Sequence, residues 1–207
     1  MRALAITGFL GTGKTTLTLA LAEALAAGGE RVAIIENERG GIGVDGAYLE
    51  AHGLMVREIR AGCVCCELVL PLVQTVAALR DGFQPGWLIL EASGVANADS
   101  LRASLAQPGV DDIRWAFLAL LDASRFERLW GERHGLGTLI RPQVAQADLL
   151  VLSKIDLLSE DALLETVERV QALRPELAVL PFIPDDAECA EEIVAALKAV
   201  GPEHENT

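Results

Sequence analysis

The stretch Ala3-Leu4-Ala5-Ile6-Thr7-Gly8-Phe9-Leu10-Gly11-Thr12-Gly13-Lys14-Thr15-Thr16 decides the fold. A short apolar run ends in GxxxxGK[ST], and the residues after it place Leu17, Leu21 and Leu25 on one helical face. Strand, glycine-rich turn and helix in that order form a phosphate-binding loop. Glycines let backbone N–H groups turn inward around anionic oxygens, and the helix adds the positive end of its dipole. Gly11, Thr12, Gly13, Lys14, Thr15 and Thr16 are therefore candidate nucleotide-binding residues. Lys14 brings a full charge to the β- and γ-phosphates, and Thr15 offers a hydroxyl to Mg²⁺.

Outward from this loop, short apolar runs alternate with helical patterns. Leu4 to Thr7, Val32 to Ile35, Trp87 to Leu90, Ala116 to Leu121, Leu149 to Leu152 and Ala178 to Leu180 read as strands. Helices are expected near 14–27, 67–80, 98–106, 124–132, 136–147, 160–173 and 187–199. Continuously apolar strands suit a parallel sheet covered on both faces. The expected fold is α/β, a doubly wound, mostly parallel sheet flanked by helices, with ligands outside the carboxyl ends of the strands. No repeat or linker divides the chain, so residues 1–200 are expected to form one domain and 201–207 a flexible tail.

The composition, 51% hydrophobic and 23% charged over 207 residues, is that of a globular protein. A formal net charge of −13 opposes binding to nucleic-acid backbone, which needs clustered Lys and Arg. The richest apolar run, Trp115 to Leu121, is far shorter than the roughly 20 residues of a membrane span. Gly8, Gly11, Gly13 and Lys14 also interrupt any signal-peptide core. Neither nucleic acid nor membrane is an expected partner, and the expected location is cytoplasmic.

Three further segments carry chemistry. The third expected strand runs into Glu91-Ala92-Ser93-Gly94, an acid followed three residues later by glycine. There Glu91 would hold Mg²⁺ through a water or orient the attacking one, and the Gly94 N–H would sense the γ-phosphate. Later, Ser153-Lys154-Ile155-Asp156 ends another strand. A carboxylate at Asp156 can accept two N–H bonds from the guanine edge, which adenine lacks, and favours GTP over ATP by roughly a hundredfold. Third, Cys63, Cys65 and Cys66 lie within four positions, a spacing that grips a borderline-soft ion such as Zn²⁺ or Co²⁺. Reduced buried thiols or a strained vicinal disulfide are the structural alternatives. The cysteines supply at most three ligands, so the fourth comes from water, another loop or a partner. The glycine-rich segment Glu36 to Gly46 is the candidate loop, with Glu38 assigned to the transported metal and Asp45 to catalysis with the nucleotide Mg²⁺. Cys189, His52, His134 and His204 lack ligand spacing and read as packing or surface residues.

The motifs GFLGTGKTT, ENERGGIGVDG, GCVCC, LILEASG, LLDASRF and QVAQADLLVLSKIDLL occur in the order found in CobW-like GTPases, themselves similar to the urease and hydrogenase nickel-insertion GTPases. The resemblance covers about residues 1–185. It implies a P-loop GTPase that binds Zn²⁺, Co²⁺ or a similar ion through the cysteines. The ion would be released to a client metalloprotein or a cobalamin-type pathway enzyme when GTP is hydrolysed. By position, Gly11, Gly13, Lys14, Thr15 and Thr16 would bind phosphate and Mg²⁺, Glu91 and Gly94 would sense the γ-phosphate, and Lys154 and Asp156 would hold guanine. Family members usually continue into a second domain of about a hundred residues, and the reading here expects the GTPase domain only. Arg39 and Gly41 stand where the family often has Phe and Glu, and Ser153 replaces the usual Asn. A GTP-dependent homodimer would supply missing thiolates. The competing readings are a P-loop kinase, which would favour ATP, and a GTP-dependent scaffold with a zinc staple or redox cysteines.

Overall fold

Successive side chains of a strand point to opposite faces of a sheet, and the first strand, β1 (Arg2–Thr7), shows the consequence. Leu4 and Ile6 enter one apolar layer, Ala3 and Ala5 another. The computed structural model describes residues 1–36, 53–58, 69–131 and 137–200. Within them β1 is followed by α1 (Lys14–Ala27), β2 (Val32–Glu36), β3 (Leu54–Glu58), α2 (Val69–Asp81), β4 (Trp87–Glu91), α3 (Ala98–Leu105) and β5 (Arg114–Asp122). A 3-10 turn, Ala123–Arg125, leads into α4 (Phe126–Gly131) and α5 (Gly137–Gln146). Then come β6 (Leu149–Ser153), a second 3-10 turn Ile155–Leu157, α6 (Glu160–Leu173), β7 (Val179–Phe182) and α7 (Ala187–Ala199).

The strands form one sheet in the order β3-β2-β4-β1-β5-β6-β7, and every pairing is parallel. Helices cover both faces. On one side Leu17, Leu21 and Leu25 of α1 and Ile193 and Leu197 of α7 pack on Leu4, Ile6, Ile34, Ile89, Leu118 and Val151. On the other, Leu72 and Val76 of α2 and Leu101 of α3 meet Ala5, Ile35 and Leu90, while Phe126, Ile140 and Val144 meet Leu121 and Leu152. Each such fully buried Leu or Ile stabilises the fold by about 1.5–3 kcal/mol relative to an exposed one. No helix among the described residues is long and apolar enough to cross a membrane.

The expected strands are all present, with ends shifted by one or two residues, and the sheet is wholly parallel. The difference is β3. Leu54-Met55-Val56 is a short apolar run broken by exposed Arg57 and followed by Glu58, and among the described residues it pairs with β2 alone. An edge strand has no second neighbour and needs no long apolar run. The acid of Glu91 therefore ends the fourth strand, not the third.

Candidate functional site

The carboxyl edge of the sheet carries a polar rim. Thr7, Glu36, Glu91, Asp122 and Ser153 are the last residues of β1, β2, β4, β5 and β6, and all five are buried. Strand alternation continues Glu36, Glu91, Asp122 and Ser153 from the residues that pack under α1 and α7. All four thus end on the α1 side of the sheet.

The phosphate loop fits against this rim. Gly13 holds φ 95°, a left-handed conformation open to glycine at little cost, and Leu17 N–H donates to its carbonyl at 2.9 Å. No side chain caps α1, whereas Asn97, Ser159 and Asp186 cap α3, α6 and α7. The N-terminal end of a helix favours an anion. Lys14 is buried at 5% exposure, and its Nζ lies 3.4 Å from the Phe9 carbonyl, which also accepts from the Thr12 hydroxyl at 2.9 Å. Thr16 lies exposed on the first turn of α1, and Gly11, with φ 73°, is exposed in the loop.

Thr15 and Glu91, 76 residues apart, meet: the Thr15 hydroxyl donates to Glu91 Oε1 at 2.8 Å. Two hard oxygen donors beside a phosphate loop are the groups that Mg²⁺ prefers. Gly94 presses on the same loop, since a Cβ built there would stand 2.8 Å from the Leu10 backbone nitrogen. Glu36 and Glu91 are register partners on adjacent strands, and Glu36 also pairs with Glu58 across β3.

On the other side of β1, Ser153 reaches the loop directly. Its hydroxyl lies 2.7 Å from the Thr12 carbonyl and 3.3 Å from the Leu121 carbonyl. A serine there links the end of β6 to the phosphate loop. Lys154 follows in a left-handed conformation, φ 55° and ψ 34°, and Asp156 is exposed on the next turn. The Lys154 ammonium lies 2.8 Å from Asp122 Oδ2. Burial pushes the Asp122 carboxyl up, but hydrogen bonds from Lys154, Ser124 and Arg125 outweigh it and hold it below the usual carboxylate value.

The structure thus brings together Lys14, Thr15, Glu91 and Gly94 at one end of the loop and Ser153 and Lys154 at the other. Cys63, Cys65, Cys66, Glu38 and Asp45 lie outside the described residues, as do His52, His134 and His204. No metal-ligating cluster occurs among the described residues. Cys189 is partly buried on α7, and burial raises its thiol. Sequence reasoning took Glu36 only as one of the three candidate acids of its loop, without preferring it, and gave no role to Asp122 or Arg125. The available signal was one polar residue closing each apolar strand of the sheet's middle, a pattern visible in VAIIE, WLILE, LALLD and LLVLS.

Residues 2–181 match the family model described as CobW/HypB/UreG, nucleotide-binding domain. Zinc chaperone YeiR of Escherichia coli (strain K12) is 38% identical over 156 residues, which cover 73% of this chain and 45% of YeiR. Zinc chaperone YjiA of the same organism is 29% identical over 179 residues, 82% of this chain and 54% of YjiA. The chain spans about half the length of the curated relatives it matches. The solved structure of hydrogenase maturation factor HypB from Archaeoglobus fulgidus shares the fold, with a TM-score of 0.66 at 16% identity, over 97% of this chain and 90% of that one. The family match runs from the first residue of β1 into β7, taking in the phosphate loop, the β4 acid and the Ser-Lys-x-Asp turn; the chain belongs to the CobW/HypB/UreG family.

Proposed function

We propose that the chain is a GTP-binding and GTP-hydrolysing metallochaperone, one GTPase domain over residues 1–200, that hands a Zn²⁺- or Co²⁺-type ion to a client metalloprotein. The observation that carries this reading is the Thr15–Glu91 contact beside buried Lys14, which joins the phosphate loop to the acid of β4. In this reading Lys14 and the amides of Gly11 to Thr16 hold the phosphates. Thr15 and Glu91 would hold Mg²⁺, which would neutralise phosphate charge when bound. Gly94 reports the γ-phosphate, Asp45 helps to order the attacking water, and Ser153, Lys154 and Asp156 select guanine.

The cargo would sit on Cys63, Cys65 and Cys66 with a carboxylate from the segment after β2. Glu38 is the first candidate, and buried Glu36, an acid of the same segment, is a second. Topology supports coupling between the two ligands. Cys63 comes five residues after Glu58 in the sequence, and Glu58, the last residue of β3, is two strands from Glu91. At the usual spacing that is about 10 Å between backbones. The names of the relatives YeiR and YjiA, zinc chaperones both, favour Zn²⁺ as the first ion to test.

Metal titration of the anaerobically reduced protein with Mg²⁺ and GTP, then with GDP, tests the proposal. Affinity is expected to change with the nucleotide, and Cys65→Ser is expected to weaken metal while leaving GTP binding near wild type. Equal metal affinity in both states refutes the coupling, because a ligand without differential affinity shifts no equilibrium.

A further inference from the structure

Asp122, the last residue of β5, has a side chain only 1% exposed and touches cations from two different segments. Its Oδ2 accepts from Lys154 Nζ at 2.8 Å and from Arg125 Nε at 2.7 Å, and its Oδ1 accepts from the Ser124 hydroxyl at 2.6 Å. Arg125 continues to the phosphate loop, where its guanidinium donates to the Leu10 carbonyl at 3.0 Å. Lys154 starts the turn that carries Asp156, in a left-handed backbone that is unfavourable for any residue with a Cβ. Something must hold that turn in place. Asp122 is the described group that does so from the core side.

The balance of charge is instructive. One carboxylate between two cations leaves the cluster with a net positive charge, beside a loop built to receive an anion. Lysine and arginine side chains otherwise lose rotamer freedom when a ligand arrives, and fixing them beforehand removes that loss from the binding step.

We propose that Asp122 is a positioning residue that ties the base loop to the phosphate loop: through Lys154 and Arg125 it holds the two as one rigid unit, so that base and phosphates of a guanine nucleotide are gripped together. The proposal rests on reading this edge as a guanine-nucleotide site, and wild-type binding checks that separately. A wild-type chain that binds neither GTP nor GDP overturns the functional reading itself.

With wild-type binding in hand, the full chain carrying Asp122→Asn is titrated with GTP and GDP and assayed at steady state with Mg²⁺. Both dissociation constants are expected to rise about tenfold, with the loss in KM and a fall of less than threefold in kcat. On a Lys154→Met background, Asp122→Asn is expected to cost no more than a further threefold, because the lysine it positions is gone. A merely structural carboxylate would give the same loss on either background. Wild-type affinity in Asp122→Asn, or full additivity with Lys154→Met, overturns the proposal. Arg125→Met, on a partly exposed side chain, keeps the test open if Asp122→Asn does not fold. At least a threefold rise in both dissociation constants is expected there, and wild-type affinity overturns the proposal.

Discussion

Replacing Gly94 by alanine puts a methyl group where the phosphate loop already is. An ideal Cβ at this position lies 2.6 Å from Leu10 Cδ2 and 2.8 Å from the Leu10 backbone nitrogen. Carbon atoms in ordinary contact are about 3.5–4.0 Å apart, so the side-chain overlap is about 1 Å. Leu10 is partly exposed and its side chain can turn away. Its backbone nitrogen cannot move without carrying the loop along, by about 0.5 Å on ordinary contact distances. Overpacking of this kind costs about 1–3 kcal/mol. If the free protein relieves it by shifting the loop, that energy is returned on binding, and nucleotide affinity falls about 5- to 150-fold. Titration with fluorescent GTP and GDP analogues reads this directly, with GTP expected to lose at least as much as GDP. Gly131→Ala is the control, because a Cβ there meets nothing within 4 Å. Wild-type affinity together with a wild-type urea midpoint in Gly94→Ala would refute the reasoning, since the overlap would then have no consequence in either state.

Ser153→Ala removes the hydroxyl that lies 2.7 Å from the Thr12 carbonyl in a buried setting. Leaving that acceptor unsatisfied is expected to cost about 1–3 kcal/mol in urea unfolding, and an unchanged midpoint contradicts it. Asp156→Asn replaces an acceptor pair by a mixed donor and acceptor, so GTP is expected to lose its advantage over ITP, which lacks the exocyclic amine; a preserved GTP/ITP ratio removes Asp156 from base recognition. The Asp122 carboxyl is held below its usual value in the folded chain. Its contribution to stability is therefore complete above about pH 4, the unfolded value, and is lost as pH falls through the folded one. Unfolding free energies of wild type and Asp122→Asn are expected to draw together below about pH 4, and a gap independent of pH speaks against the ionised carboxylate.

What could be read from the sequence follows from where the determining forces are local. The phosphate loop is fixed by glycine conformation and by the helix after it, both encoded within a dozen residues. The buried strands announce themselves because a parallel strand covered on two faces has room only for apolar side chains, as Trp87 to Leu90 and Leu149 to Leu152 show. Leu54–Glu58 escaped because it borders a single neighbour and tolerates Arg57 on the surface. Ser153 departs from the asparagine of the resembled family. In three dimensions its short side chain still reaches the phosphate loop, because the Thr12 carbonyl comes within 2.7 Å of it. The polar end of LALLD marks Asp122, but the link it makes is not legible locally, because it runs through Arg125 to Leu10, 115 residues earlier.

The position of β1 in the sheet has a consequence for how the chain is made. It precedes every other described strand in the sequence, yet it lies between β4 and β5, and the Thr7 hydroxyl contacts the Leu118 carbonyl 111 residues later. At a synthesis rate of about 5–20 residues per second, both neighbours exist only roughly 6–23 s after β1. Until then Leu4 and Ile6 have no sheet to enter. In that interval the nascent chain carries an apolar strand without its two sheet neighbours. Productive closure falls to the moment when β5 emerges, and a stall before Leu118 would leave an aggregation-prone intermediate for chaperones to shield.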